Sequence, residues 1–145
     1  MDLRISTSYK DLAVAEEAAG IVQNCVHCGF CNATCPTYQL LGDELDGPRG
    51  RIYLMKSMVE GNNVSVHTQL HLDRCLTCRS CESTCPSGVR FGRLLEIGRE
   101  LVEQQVRRSL MDRLVRFALR KIMTSRKWFG LLSGIGRWVR PILPP

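Results

Sequence analysis

An all-α fold is expected of this chain, and three observations lead there. Apolar residues recur at helical spacing through most of its length, no run alternates with the two-residue period of a strand, and two cysteine runs punctuate the pattern fifty residues apart. Those runs are Cys25, Cys28, Cys31, Cys35 with Pro36, and Cys75, Cys78, Cys81, Cys85 with Pro86.

The elements follow in order. Lys10 to Gly20 is rich in alanine and glutamate and sets Leu12, Ala15 and Ala19 on one face, with Gly20 as the expected stop. Pro36 and Pro86 suit the first position of a helix, since proline lacks the amide hydrogen that would be unpaired there. A turn or two from Thr37 to Leu41 runs into a loop over 42–47. Pro48 opens a longer helix with Ile52, Met55 and Val59 facing inward, closed by Gly61, Asn62 and Asn63. From Val64 to Arg74 a short helix is expected to bury Val66 and Leu70, with Leu72 a further candidate. Val89 to Val106 carries Leu94, Ile97, Leu101 and Gln105 at helical spacing, a long amphipathic helix.

Each cysteine run reads C-x2-C-x2-C-x3-C-P, the arrangement that holds a pair of cubane iron-sulfur clusters. Two intervening residues give the backbone just enough length to reverse between ligands, so three thiolates wrap three corners of one cluster. A helix begun at the proline would carry the fourth cysteine away from its own run. On that pattern Cys25, Cys28, Cys31 and Cys85 hold one cluster, and Cys75, Cys78, Cys81 and Cys35 the other. Spacing alone leaves the uncrossed arrangement open. The fold class is therefore an α-helical two-cluster ferredoxin module with a basic amphipathic C-terminal helical tail, and the two halves form a loose internal repeat.

Zinc also takes four thiolates, but a zinc ribbon needs neither a third cysteine at the same spacing nor a cysteine-proline end. A disulfide framework is disfavoured because Met1 to Lys10 is polar and lacks the apolar stretch of a signal peptide, which makes a reducing, cytoplasmic compartment the expectation. All eight cysteines are consumed by the two runs, so none is left for a catalytic thiol. With 145 residues and 6% aromatics, the core must be aliphatic and small, and bound metal is expected to supply part of the folding energy.

Charge divides the chain. Residues 1–98 sum to −2 and are assigned to the dicluster domain; residues 99–145 sum to +8 and form the basic helical extension. In that tail Arg107, Arg108, Arg113, Arg116, Arg120 and Lys121 alternate with Leu110, Leu114, Phe117 and Ile122, and Trp128, Phe129, Leu131, Leu132, Ile135 and Trp138 follow. Packing on protein is the favoured reading of the stripe, contact with an anionic membrane surface the next, and nucleic acid the least favoured. The apolar run is too short and too broken by glycine to span a bilayer.

The two motifs, the forty-residue interval and the segment Asp46, Gly47, Pro48, Arg49, Gly50, Arg51, Ile52 resemble the iron-sulfur subunits of bacterial glycolate oxidases. The resemblance runs over essentially the whole chain, including the basic segment after Arg107 and the end at Arg140, Pro141, Ile142, Leu143 and Pro144. Related chains are the cluster subunits of anaerobic glycerol-3-phosphate dehydrogenase, of lactate utilisation complexes and of heterodisulfide reductase. The resemblance implies electron transfer from FAD-containing dehydrogenase subunits that oxidise a 2-hydroxy acid, with no catalytic residue on this chain and two 4Fe-4S clusters on its eight cysteines. The full-length relatives continue into domains with paired-cysteine CCG motifs, which this chain lacks; a fragment or a short form is the expectation.

Residues inside the loops are then tuners of potential. Gly29, Phe30 and Asn32 line the first loop, Arg79 and Ser80 the second, and positive charge at Arg74 and Arg79 predicts a higher potential for the second cluster. Other residues are given plainer roles. His27 is expected to be a surface or loop histidine, His67 and His71 a polar surface pair, Met55, Met58, Met111 and Met123 core or interface filler, and Arg49 and Arg51 partners of loop acids or of the cluster environment. The competing functional class is a protein whose clusters are structural or sensory and whose tail binds nucleic acid.

Overall fold

A computed structural model describes residues 3–6 and 13–139, excepting the side chains of Ile135 and Val139; Leu12 and the Arg140–Pro144 end lie outside the described residues. Among the described residues all regular structure is helical: α1 (Ala13–Gln23), α2 (Phe30–Ala33), α3 (Pro36–Leu41), a 3-10 turn (Glu44–Asp46), α4 (Pro48–Val59), α5 (Val66–Asp73), α6 (Ser80–Ser83), α7 (Phe91–Gln105), α8 (Leu110–Thr124) and α9 (Arg126–Val139). The chain divides into two compact units, 1–107 and 108–145, so that residue 98 falls inside α7.

In the first unit α1, α4 and α7 pack on one another. Ala18, Ala19, Ile21 and Val22 of α1 meet Ile52, Met55, Met58 and Val59 of α4 and Leu94, Ile97, Leu101 and Val102 of α7. Each larger aliphatic side chain removed from water there contributes about 1.5–3 kcal/mol. The small residues of α1 let its backbone come close. Helix α1 continues through Gly20 to Gln23 because Ile21 and Val22 are buried, and that burial outweighs the weak helix preference of one glycine.

Pro36 opens α3, and Pro48 opens α4. Pro86 does not open a helix: it lies in a turn, Gly88 is left-handed at φ 63°, and α7 begins only at Phe91. Gly50 is required by proximity. A methyl group there would stand 2.1 Å from the Glu44 carbonyl oxygen, so α4 rests directly on the backbone of the 3-10 turn.

Helix α5 turns a different face inward than expected. Val66 and Leu70 are exposed, while Thr68, Gln69, His71 and Leu72 are buried. The inward polar groups are satisfied: Gln69 donates to the Val106 carbonyl at 3.4 Å, and His71 Nδ1 lies 3.0 Å from Asp46 Oδ1. His67 and His71 are therefore no surface pair. On α7, Gln105 is exposed and Val102 and Val106 are buried in its place.

The second unit consists of α8 and α9, which pack together. Ser109 caps α8 by accepting the Asp112 amide at 3.2 Å, and Asp112 also receives Arg116 at 3.2 Å. Met55 and Met58 are core residues, as one half of the core-or-interface reading of the methionines has it, while Leu110, Met111, Leu114, Phe117, Met123, Trp128 and Trp138 are exposed. No helix among the described residues is long and apolar enough to cross a membrane.

Candidate metal centre

The two cysteine loops repeat one backbone path. Cys25 and Cys75 each donate their amide to the carbonyl three residues back, Val22 and Leu72, as α1 and α5 end. His27 and Thr77 both take left-handed φ, 56° and 58°, and so do Gly29 and Arg79, at 84° and 59°. One turn of helix follows each, α2 and α6, after which Cys35 and Cys85 donate to Asn32 and Glu82 at 3.2 Å. Reversing the chain twice within six residues needs those left-handed steps, because an extended or helical continuation would carry the thiols apart.

Helices α2 and α6 lie side by side, with Thr34 Oγ1 at 3.5 Å from the Ser80 carbonyl and from Thr84 Oγ1. This brings each fourth cysteine beside the other loop. One pocket, with about 430 Å³ of empty space, is lined by Cys25, Cys28, Cys31 and Cys85; a second, about 380 Å³, by Cys35, Cys75, Cys78 and Cys81. Cys81 also borders the first pocket, so the two are neighbours. All eight cysteines are free thiols; Cys25, Cys35 and Cys81 are buried, Cys28 and Cys78 exposed.

Burial and the convergence of sulfurs disfavour the bare anion at two of the cysteines. Burial pushes the Cys81 thiol up to about 12, helped by Cys75, Cys31 and Cys35, and raises Cys31 through burial with Cys25, Cys28 and Cys85 around it. Converging thiols this mutually repulsive as anions become ligands when positive metal offsets their charge. Exposed Cys78 runs the other way, lowered by hydrogen bonds from the Ser80 backbone and hydroxyl. His27 adds a second sign of fit: its Nε2 is buried, has no hydrogen-bond partner in the protein, and its ring borders the first pocket. A cluster sulfide or ligand sulfur is the acceptor that such a donor lacks. The donor sets and the orphaned nitrogen fit a 4Fe-4S group.

The expectation that Arg51 pairs with a loop acid holds at Asp46, but sequence reasoning missed that this acid is buried and shared with His71 and Arg74 beside the second pocket. Asp46, fully buried, faces Arg51 at 3.4 Å, His71 at 3.0 Å and Arg74 at 2.8 Å. Burial by itself would raise the Asp46 carboxyl, but His71 and Arg74 outweigh it and hold the group below its ordinary value. Arg51 also donates Nε to the His71 carbonyl at 2.7 Å. Asp43, Asp46 and His71 lie close enough to suggest a cation site, yet two guanidinium groups already occupy the Asp46 oxygens. Only the run of charges from Asp46 to Arg51 hinted at this. Arg49, in contrast, pairs with Glu44 at 2.6 Å near the first pocket and stays partly exposed.

Arg99 was also missed. From α7 its guanidinium donates to the carbonyls of Leu72 at 2.9 Å and Cys75 at 2.8 Å and to Thr77 Oγ1 at 3.2 Å. It thereby caps α5 and braces the second loop.

Comparison with known proteins agrees with this geometry. Residues 21–89 match the model of the 4Fe-4S dicluster domain. The chain is 57% identical over 144 residues to the glycolate oxidase iron-sulfur subunit of Escherichia coli, covering 99% of this chain and 35% of that protein. It is 44% identical over 99 residues to a probable glycolate oxidase iron-sulfur subunit of Bacillus subtilis, covering 67% of this chain and 22% of that one. The succinate dehydrogenase iron-sulfur subunit of Paracoccus denitrificans is 24% identical over 98 residues, 63% of this chain and 35% of that protein. No solved structure matches significantly. The chain thus spans about a third or less of the relatives it matches, and within that span it is similar to glycolate oxidase iron-sulfur subunits.

Proposed function

We propose that this chain is the electron-transfer segment of a glycolate-type 2-hydroxy-acid dehydrogenase, receiving electrons from an FAD-containing partner through two 4Fe-4S clusters. The observation that carries this reading is that Cys25, Cys28, Cys31 and Cys85 line one pocket and Cys35, Cys75, Cys78 and Cys81 its neighbour, with Cys81 bordering both. It supports Cys25, Cys28, Cys31 and Cys85 as ligands of one cluster and Cys75, Cys78, Cys81 and Cys35 as ligands of the other. Each cluster supplies one-electron chemistry. The chain's own residues hold the sulfurs, exclude water around Cys25, Cys35 and Cys81, and leave Cys28 and Cys78 at the surface where a partner could approach.

Anaerobically purified protein should carry about eight irons and be reduced by dithionite. Cys85→Ser should alter the spectroscopic signal of the same cluster as Cys28→Ser, whereas Cys35→Ser should pair with Cys78→Ser. Pairing of Cys85 with Cys78 instead would refute the ligand sets. Reduction of the clusters by glycolate in the presence of the flavoprotein subunits, and not by glycolate alone, tests the electron source.

The exposed apolar residues and cationic flank of α8 and α9 suit packing on a protein partner first and, second, contact of a cytoplasmic protein with the inner face of the membrane. Binding to anionic vesicles that fades with salt supports the membrane contact. Salt-sensitive binding to DNA without vesicle binding supports the nucleic-acid alternative instead.

A further inference from the structure

The two clusters of the proposed reading have different surroundings, and the difference converges on one sulfur. Cys35 Sγ lies 3.1 Å from Thr37 Oγ1, which lies 3.2 Å from Arg51 Nη1; the same nitrogen is 4.0 Å from the sulfur itself. Thr37 Oγ1 is also 2.8 Å from the Asp46 carbonyl. A hydroxyl has one hydrogen to give. While Cys35 is a thiol it can donate to the threonine oxygen, leaving that hydrogen for the carbonyl. As a thiolate on iron it can only accept; Arg51 already donates into the threonine oxygen, and the threonine hydrogen is then shared between the Asp46 carbonyl and the sulfur.

Arg51 is fully buried and keeps its charge in place through Asp46, while Arg74 adds a second positive charge to the same carboxylate. Asp43 stands within 4.8 Å of the Asp46 and His71 ligand atoms, so two arginines face two carboxylates; what sets this site apart is that Arg51 Nη1 reaches both Thr37 and Cys35. At the first pocket the corresponding groups are the His27 ring and Arg49, and the charge of Arg49 is matched by Glu44. A hydrogen bond assisted by charge is roughly twice as strong as a neutral one, and donors to ligand sulfur favour the more negative, reduced state of a cluster.

We propose that Arg51, acting through the Thr37 hydroxyl on Cys35, makes the cluster in the second pocket the more easily reduced of the two. Thr37 and Arg51 are positioning residues for electron transfer, since each acts through the Cys35 sulfur. The proposal rests on the two-cluster reading above.

The test is a redox titration of the full chain, purified anaerobically and followed by electron paramagnetic resonance, with iron counted in every sample. Thr37→Val, or Thr37→Ala if the valine variant loses iron, should lower the upper of the two midpoints and leave the lower in place. Thr37→Ser should restore it. An upper midpoint that ignores the loss of the hydroxyl, or a shift confined to the lower one, overturns the proposal. Far fewer than about eight irons in the unaltered chain would instead overturn the two-cluster reading itself.

Discussion

Asp46 Oδ1 and Arg51 Nη2 lie 3.4 Å apart with both side chains fully shielded from solvent, joining the 3-10 turn to α4 at the edge of the second pocket. Removing one member of a buried pair leaves the other charged and unpaired, which costs about 3–5 kcal/mol. Asp46→Asn should therefore destabilise the folded protein by that order and lower its iron content, both read by thermal unfolding and iron analysis. The exposed Glu17 and Arg93 pair, at 2.8 Å, provides the comparison: Glu17→Gln should leave both measurements nearly unchanged.

Gly50 should tolerate no side chain. The methyl of Gly50→Ala would meet backbone, the Glu44 carbonyl oxygen at 2.1 Å and the Leu45 Cα at 2.9 Å, and backbone cannot swing aside as a flexible side chain does. A loss of at least about 2 kcal/mol is expected from denaturant unfolding. An unchanged midpoint would mean that the turn and α4 separate freely.

Arg99 braces one loop and not the other. Arg99→Ala should free the carbonyls of Leu72 and Cys75 and weaken the hold on the second cluster. Iron release to a chelator should become faster for one cluster, while the signal of the other persists. Equal release from both would contradict a local role.

Arg79 occupies a left-handed position that its counterpart in the first loop gives to Gly29. Its charge is over half exposed and faces Glu96 at 3.6 Å, which screens it although Arg79 also lines the second pocket. Arg79→Gly should raise stability by up to about 1 kcal/mol through relief of the backbone, as seen in thermal unfolding. Its effect on the upper redox midpoint should be smaller than that of Thr37→Val.

Cysteine spacing, proline placement and the spread of charge were legible without coordinates, because each acts over a few neighbouring residues. They account for the helical class, the eight thiols as candidate ligands, the helices opened by Pro36 and Pro48, and the amphipathic tail. Periodicity also found the inward residues of α4 and most of those of α7. It failed on α5, where the buried face is polar and its partners, Asp46 and Val106, lie 25 and 37 residues away. What tertiary structure alone set was which pocket each fourth cysteine lines and which sulfur the buried arginine lies beside. Contacts between residues far apart in the chain are set by the packing of whole helices, and a burial or hydrogen bond made only there leaves no local period to read.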